Sequence, residues 1–171
     1  MNWEEGMERG KRRLTQVVPS VKVTHFDPRP RLPDVSVALK EWAVAEKALR
    51  EGKQCLLLRK GGIREETKHF QLQGTSFFLY PTYQHQKAHL IKEEFHPDLE
   101  ETLRDGSPRR NRVTLRSFAQ VVEDVELTDA AVLERLLPYH IWTARLAEER
   151  LHWKRTHPLH VLLVRVYLLT T

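Results

Sequence analysis

The stretch LLLRKGGIREE, from Leu56 to Glu66, runs three leucines into Arg59 and Lys60 and then into Gly61 and Gly62. Two cations at the end of an apolar strand, followed by backbone free to adopt φ > 0, can present charge and open amide N–H groups to an anionic oxygen such as a phosphate. The Gly-x-x-x-x-Gly-Lys-Ser/Thr spacing of a P-loop is absent, and a hairpin turn with solvated cations fits the same residues. A second cationic stretch, RDGSPRRNRVTLR, sets Arg104, Arg109, Arg110, Arg112 and Arg116 against the single acid Asp105. Arginine suits bidentate phosphate contact, although charged loops are usually just solvated. Arg165 interrupts the apolar run HVLLVRVYLL. It must reach an edge or be paired, with Glu65, Glu66 or a carboxylate ligand as partner, because unpaired burial of charge is costly.

Other chemistries are less well supplied. His85 and His89 stand at i, i+4 and would share a helix face, with His96 as a possible third metal ligand, but no glutamate adjoins His85 as the zinc-protease pattern requires. Polar surface histidines are the favoured reading, and no metal or cofactor is assigned. Cys55 lies in an apolar run, where a free cysteine behaves as a small hydrophobe. Glu66-x-Lys68 matches part of a restriction-type nuclease site, yet no well-placed aspartate precedes it. Neither a Gly-x-Ser-x-Gly elbow nor a Gly-x-Gly-x-x-Gly turn occurs. The chain displays no complete catalytic constellation, and whether it is an enzyme stays open.

These residues need elements to position them. Leu39, Trp42, Ala45 and Leu49 have the spacing of a buried helical stripe, with Ser36 or Asp34 as cap and Gly52 as stop. QCLLLRK and TSFFLY read as strands, the second ended by Pro81. Residues 82–94 are helix-compatible until His96-Pro97, with a further turn from Asp98 to Arg104. RVTLRSFAQVVEDVEL contains strand material, with polar and apolar residues alternating from Arg112 to Arg116. Thr128 can cap a helix through Leu137, Pro138 interrupts it, and a longer helix runs to about Trp153. PLHVLLVRVYLL predicts a strand buried on both faces. The order lacks regular βαβα alternation, which favours an α+β domain with a mixed sheet.

The 171 residues suit one domain. The net charge is +5, and residues 1–31 hold seven cations against four acids, so the body is nearly neutral. Pro19, Pro28, Pro30 and Pro33 argue against continuous helix there. Residues 1–34 are read as an extended basic arm and 35–171 as the domain. A solvated tail is favoured for the arm over a nucleic-acid-binding one. The single cysteine permits no intrachain disulfide, and no apolar run approaches the roughly 20 residues that span a bilayer, so the expected location is the cytoplasm and no membrane partner is expected.

ALKEWAVAEKALREGKQCLLLRKGGIREE, FFLYPTYQHQ and HIWTARLAEERLHWKRTHPLHVLLVRVYLL together resemble the bacterial family catalogued as domain of unknown function 1802, over about 38–169. The most specific pieces are Arg59-Lys60-Gly61-Gly62-Ile63 and Tyr80-Pro81-Thr82-Tyr83 with His85-Gln86. The family has no established activity. Some members carry a restriction-endonuclease-like domain, so the resemblance implies a DNA-related setting such as restriction–modification. The helix, Gly52-Lys53 and the strand ending in Arg59 are similar to the opening of PUA-like domains, including the ASCH type. That likeness implies a small barrel-like sheet and a base-reading pocket lined by aromatics such as Tyr80 and Tyr83.

The combined expectation is a single α+β domain with a mixed, barrel-like sheet packed by helices. Its function is read as a non-catalytic module that binds nucleic acid, DNA or RNA, or a nucleotide. The candidate contacts are Arg59, Lys60, Gly61, Gly62, Tyr83, His85, Gln86, Arg109, Arg110 and Arg112. The alternatives are a metal-dependent nuclease or other phosphate-substrate enzyme, and a structural or partner-binding protein. Oligomeric state is not legible. Arg59 and Lys60 are expected at the rim of the main pocket, opposite PTYQHQ.

Overall fold

Trp42 marks the point where an extended segment becomes a helix. In the computed structural model, which describes residues 37–60, 76–106, 112–152 and 159–169 together with Pro30 and Leu32, Ala38–Trp42 is strand β1 and Ala43–Arg50 is helix α1. The helical spacing of Leu39 and Trp42 therefore misleads. Ala38–Trp42 pairs in parallel with Phe78–Thr82, and this ladder overrides local periodicity. Gly52 does end α1. At φ 73° it lets its own N–H reach Leu49 O and the Lys53 N–H reach Ala48 O, a Schellman closure of the last turn.

Strand β2 (Leu56–Lys60) follows, then β3 (Ser76–Thr82). Pro81 does not end β3. Pairing of β3 with the next strand stops at Phe78, so the missing Pro81 N–H leaves no gap in that ladder. Residues 82–94 are not an α-helix but a turn and two short 3₁₀ segments, because the buried Ile91 bridges to Trp142. Helix α2 (His96–Asp105) places Pro97 in its first turn, where no N–H is needed. Strand β4 starts at Ser117, not Arg112, and runs to Leu127. Asp129, rather than Thr128, caps helix α3 (Ala130–Leu136) by accepting from the Ala131 N–H at 2.8 Å. Helix α4 is Ala144–His152 and strand β5 is Leu159–Leu168.

The five strands form one mixed sheet in the order β1-β3-β4-β5-β2, antiparallel except for β1 with β3. Together with the helices it makes a single α+β domain, and the sheet does not close into a barrel. Alternate residues feed two clusters. Leu56, Leu58, Leu159 and Val161 pack with residues of all four helices, and Leu57, Leu162 and Val164 pack in a second cluster that Leu49 of α1 joins. β4 changes sides. Ala119 and Val121 join the second cluster, whereas Leu127 joins the first. The cause is a bulge between Val121 and Glu123, whose extra residue inverts the alternation. β5 is buried on both faces only in its first half, and Arg165, on its second half, is exposed. Trp42 and Trp142 meet edge to face at 5.2 Å, with the Arg150 guanidinium over the Trp142 ring.

The basic arm lies outside the described residues apart from Pro30 and Leu32, both exposed. Among the described residues no helix is long and apolar enough to cross a membrane.

Candidate functional site

Where the β3–β4 ladder stops, the chain opens a cleft. The last paired residues are Phe78 and Phe118. Beyond them Tyr80–Tyr83 and Arg112–Arg116 line a cavity of about 650 Å³ whose other walls are α1 and the end of α2.

The rim is cationic. Lys40, Arg104, Arg112 and Arg116 are exposed and line the opening. Counting Lys47 and Arg50 within, six cations face three carboxylates, Glu46, Glu101 and Asp105. Tyr80 and Tyr83 are half-buried on the β3 side. Gly106 ends α2 against the Tyr83 ring. A Cβ there would fall 2.0 Å from Tyr83 Cδ1, so only glycine permits this approach.

The floor comes from α1. Lys47 is buried, and its Nζ donates to Asp98 at 2.7 Å and Glu101 at 2.6 Å, which ties α1 to α2. Burial by itself would lower the pKa of this ammonium, but the two carboxylates override it and hold the value above the ordinary lysine range. Asp98 mirrors this. Burial would raise its pKa, and Lys47 and Lys53 bring it below the usual carboxylate range. Glu46, 4% exposed, accepts from Ser117 Oγ at 2.7 Å and lies 3.4 Å from Arg50 Nε.

The candidate residues from the sequence are dispersed. Tyr83 and Arg112 line the cleft. Arg59 lies elsewhere and joins the two edge strands. Its Nη1 donates to Lys40 O of β1 at 3.1 Å and sits 3.6 Å from the buried carboxylate of Glu41. Lys60 ends β2 opposite Leu159. Of the PTYQHQ segment, Pro81 to Gln84 form a cleft wall. His85 is exposed in a turn at φ 65°, so it and His89 share no helix face. Gln86 is not a cleft residue. Its Oε1 accepts from the Val44 N–H at 3.0 Å and caps α1, the service expected of Ser36 or Asp34. His96 Nε2 is 3.0 Å from both Ala88 O and Ile91 O. Gly61, Gly62, Glu65, Glu66, Lys68, Arg109 and Arg110 lie outside the described residues. Among the described residues no group of three His, Cys, Asp or Glu side chains is placed to hold a metal ion. Cys55 is half-buried, and burial raises its thiol pKa.

Sequence reasoning missed Lys40, Glu46, Lys47, Arg50 and Ser117. In AEKALRE, Glu46 and Arg50 read as an ordinary surface i, i+4 pair, and nothing local reveals that Ser117, 71 positions away, sits on Glu46.

The family model described as Domain of unknown function (DUF1802) matches residues 38–171. The chain belongs to the DUF1802 family. The match begins at the first residue of β1, so every described element lies within the DUF1802 region. No curated protein matches the chain. Among solved structures, ASCH from Zymomonas mobilis is similar at 13% identity and a TM-score of 0.45, over 75% of this chain and 66% of that one. A mutant of the same Zymomonas mobilis protein gives 14% and 0.45, over 75% and 66%. A second mutant gives 11% and 0.43, over 75% and 68%. This chain thus spans slightly under two thirds of the first of these structures.

Proposed function

We propose that this DUF1802 protein is a non-catalytic module that binds nucleic acid or a nucleotide through the cleft between β3, β4, α1 and α2. The observation that carries the reading is the ring of exposed Lys40, Arg104, Arg112 and Arg116 around half-buried Tyr80 and Tyr83. Cations follow phosphates, with arginine suited to two-pronged contact, and tyrosine faces accept stacked bases. An acidic peptide would use the cations but would leave the tyrosines without a flat partner. The single Cys55 accords with work in a reducing cytoplasm.

The test is fluorescence anisotropy of labelled single-stranded RNA, single-stranded DNA and duplex DNA across a salt series. The wild-type chain should bind at low salt. Arg112→Ala with Arg116→Ala should weaken binding and flatten the log–log salt slope by about 1.4, the loss of two single-strand phosphate contacts. Absence of binding to every probe would overturn the reading. Cleavage of a probe in the presence of magnesium would favour the enzyme alternative instead. The restriction–modification setting implied by the family resemblance calls for a preference for DNA, and a preference for RNA would remove it.

A further inference from the structure

The floor of the cleft differs in kind from its rim. Lys40, Arg104, Arg112 and Arg116 at the rim are all exposed, which suits phosphates that stay in water. The floor holds groups of both signs, the buried Lys47 and half-buried Arg50 together with a carboxylate, Glu46, which α1 keeps buried. A carboxylate beneath a cationic rim weakens the pull on an anion, so a site that needed charge alone would not place one there.

Glu46 is fixed but not saturated. Ser117 Oγ donates to Oε1 at 2.7 Å, and Arg50 Nε approaches the same oxygen at 3.4 Å. Arg50 Nε is buried and makes no hydrogen bond, so the ion pair holds position without consuming an acceptor site. Both contacts fall on Oε1, and neither involves Oε2. Lys47, the next residue, is fully engaged by Asp98 and Glu101 and does not turn to its neighbour. The result is a carboxylate with one oxygen, Oε2, that can only accept and is taken by neither contact, on a residue lining the same cavity as Tyr80, Tyr83 and the Arg50 guanidinium and held still by a hydroxyl from another element.

An acceptor-only edge selects a base by its donors. Guanine presents two adjacent donors, N1–H and the N2 amine. Adenine and cytosine each present one donor next to a ring acceptor that a carboxylate repels. Uracil presents one donor between two acceptors. We infer that Glu46 is a specificity-determining residue that selects guanine at the cleft floor, with the phosphates at the arginine rim and the tyrosines beside the base. This rests on the nucleic-acid reading of the cleft and adds the base to it.

The probe is a set of labelled single-stranded uridine pentamers whose central base is guanine, hypoxanthine, adenine or uracil, titrated into the full chain. Guanine should bind about tenfold or more tightly than adenine, the scale of a two-donor contact. Hypoxanthine, which keeps N1–H but lacks the amine, should fall between them. Glu46→Gln retains an oxygen for Ser117 and turns an amide N–H₂ toward the base, so it should bring the guanine-to-adenine ratio close to one. Circular dichroism checks that the variant folds. If it does not, the wild-type series still decides whether guanine is preferred, and Ser117→Ala, which loosens the carboxylate, should lower the ratio. Equal affinity for all four pentamers would overturn the guanine assignment and leave the nucleic-acid reading standing. Absence of binding to any of them would overturn the guanine assignment, and the RNA and DNA probes of the salt series would still decide the nucleic-acid reading. A guanine preference that persists in folded Glu46→Gln would take the selection away from Glu46.

Discussion

Two places among the described residues where strands lie without a full backbone ladder are treated in opposite ways by the chain. Between the outer strands β1 and β2 no ladder forms, yet Arg59 reaches from β2 to Lys40 O and to Glu41, and a side chain seals the seam. Between β3 and β4 the ladder ends at Phe78, and there the strands diverge into a cleft lined by Tyr80, Tyr83, Arg112 and Arg116. Both places carry arginine. In the first the guanidinium is answered by a buried carboxylate and a carbonyl oxygen. In the second, Arg112 and Arg116 are exposed to solvent at a concave surface. An arginine count alone would rank the two together, whereas the partner of each guanidinium separates a structural tie from a surface that can receive a ligand.

Breaking the sealed seam should have the largest effect on stability. Arg59→Ala leaves Glu41, 4% exposed, without its cation, and should cost about 3 kcal/mol in urea unfolding. A loss below about 1 kcal/mol would show that the seam is held by something other than this pair.

A comparable change can be made away from both gaps. His140 is buried, its Nδ1 accepts from the Trp142 N–H, and its Nε2 makes no hydrogen bond. Burial, reinforced by Lys92, brings its pKa down to about 4. The folded state therefore resists a proton that the unfolded chain takes up near pH 6.5. Stability from this group is fully present above about pH 6.5 and is lost as pH falls toward 4, on the order of 3 kcal/mol in all. His140→Asn, whose Oδ1 can still accept from the Trp142 N–H, should flatten the dependence of the unfolding midpoint over that interval. An unchanged slope would place the titration elsewhere.

The smallest stability effect belongs to the open cleft. Gly106→Ala puts a methyl group against the Tyr83 ring, where the distance is 2.0 Å, and forces the ring to move. This should cost about 2 kcal/mol of stability, the scale of overpacking that displaces a side chain. It should also weaken oligonucleotide binding about tenfold, the scale of one lost base–aromatic stack. Unchanged affinity in the folded variant would remove Tyr83 from the ligand surface and bring the two gaps closer in kind.

Much of the fold was readable because it rests on local chemistry. Gly52 ends α1 since only a residue tolerant of φ > 0 closes that turn, and Pro97 starts α2 since the first turn needs no N–H. The apolar runs at Leu56–Leu58 and Leu159–Leu162 become paired strands, β2 at the edge of the sheet and β5 within it, with their leucines buried. The basic excess and the arginines of the rim could likewise be counted from composition. What the sequence could not determine is where side chains finish, because that depends on contacts between distant segments. Ala38–Trp42 is a strand only because Phe78–Thr82 lies alongside it. Gln86 caps a helix 42 positions away, and Arg59 meets a carbonyl 19 positions away. Glu46 has the local pattern of a solvated helix residue and becomes the floor of a cleft only when Ser117, 71 positions on, is brought onto it. Periodicity and turn chemistry act over a few residues, so they could specify elements. The seam, the cleft and the choice of which arginine is spent on structure arise from strand pairing over tens of residues, and only the tertiary structure decided them.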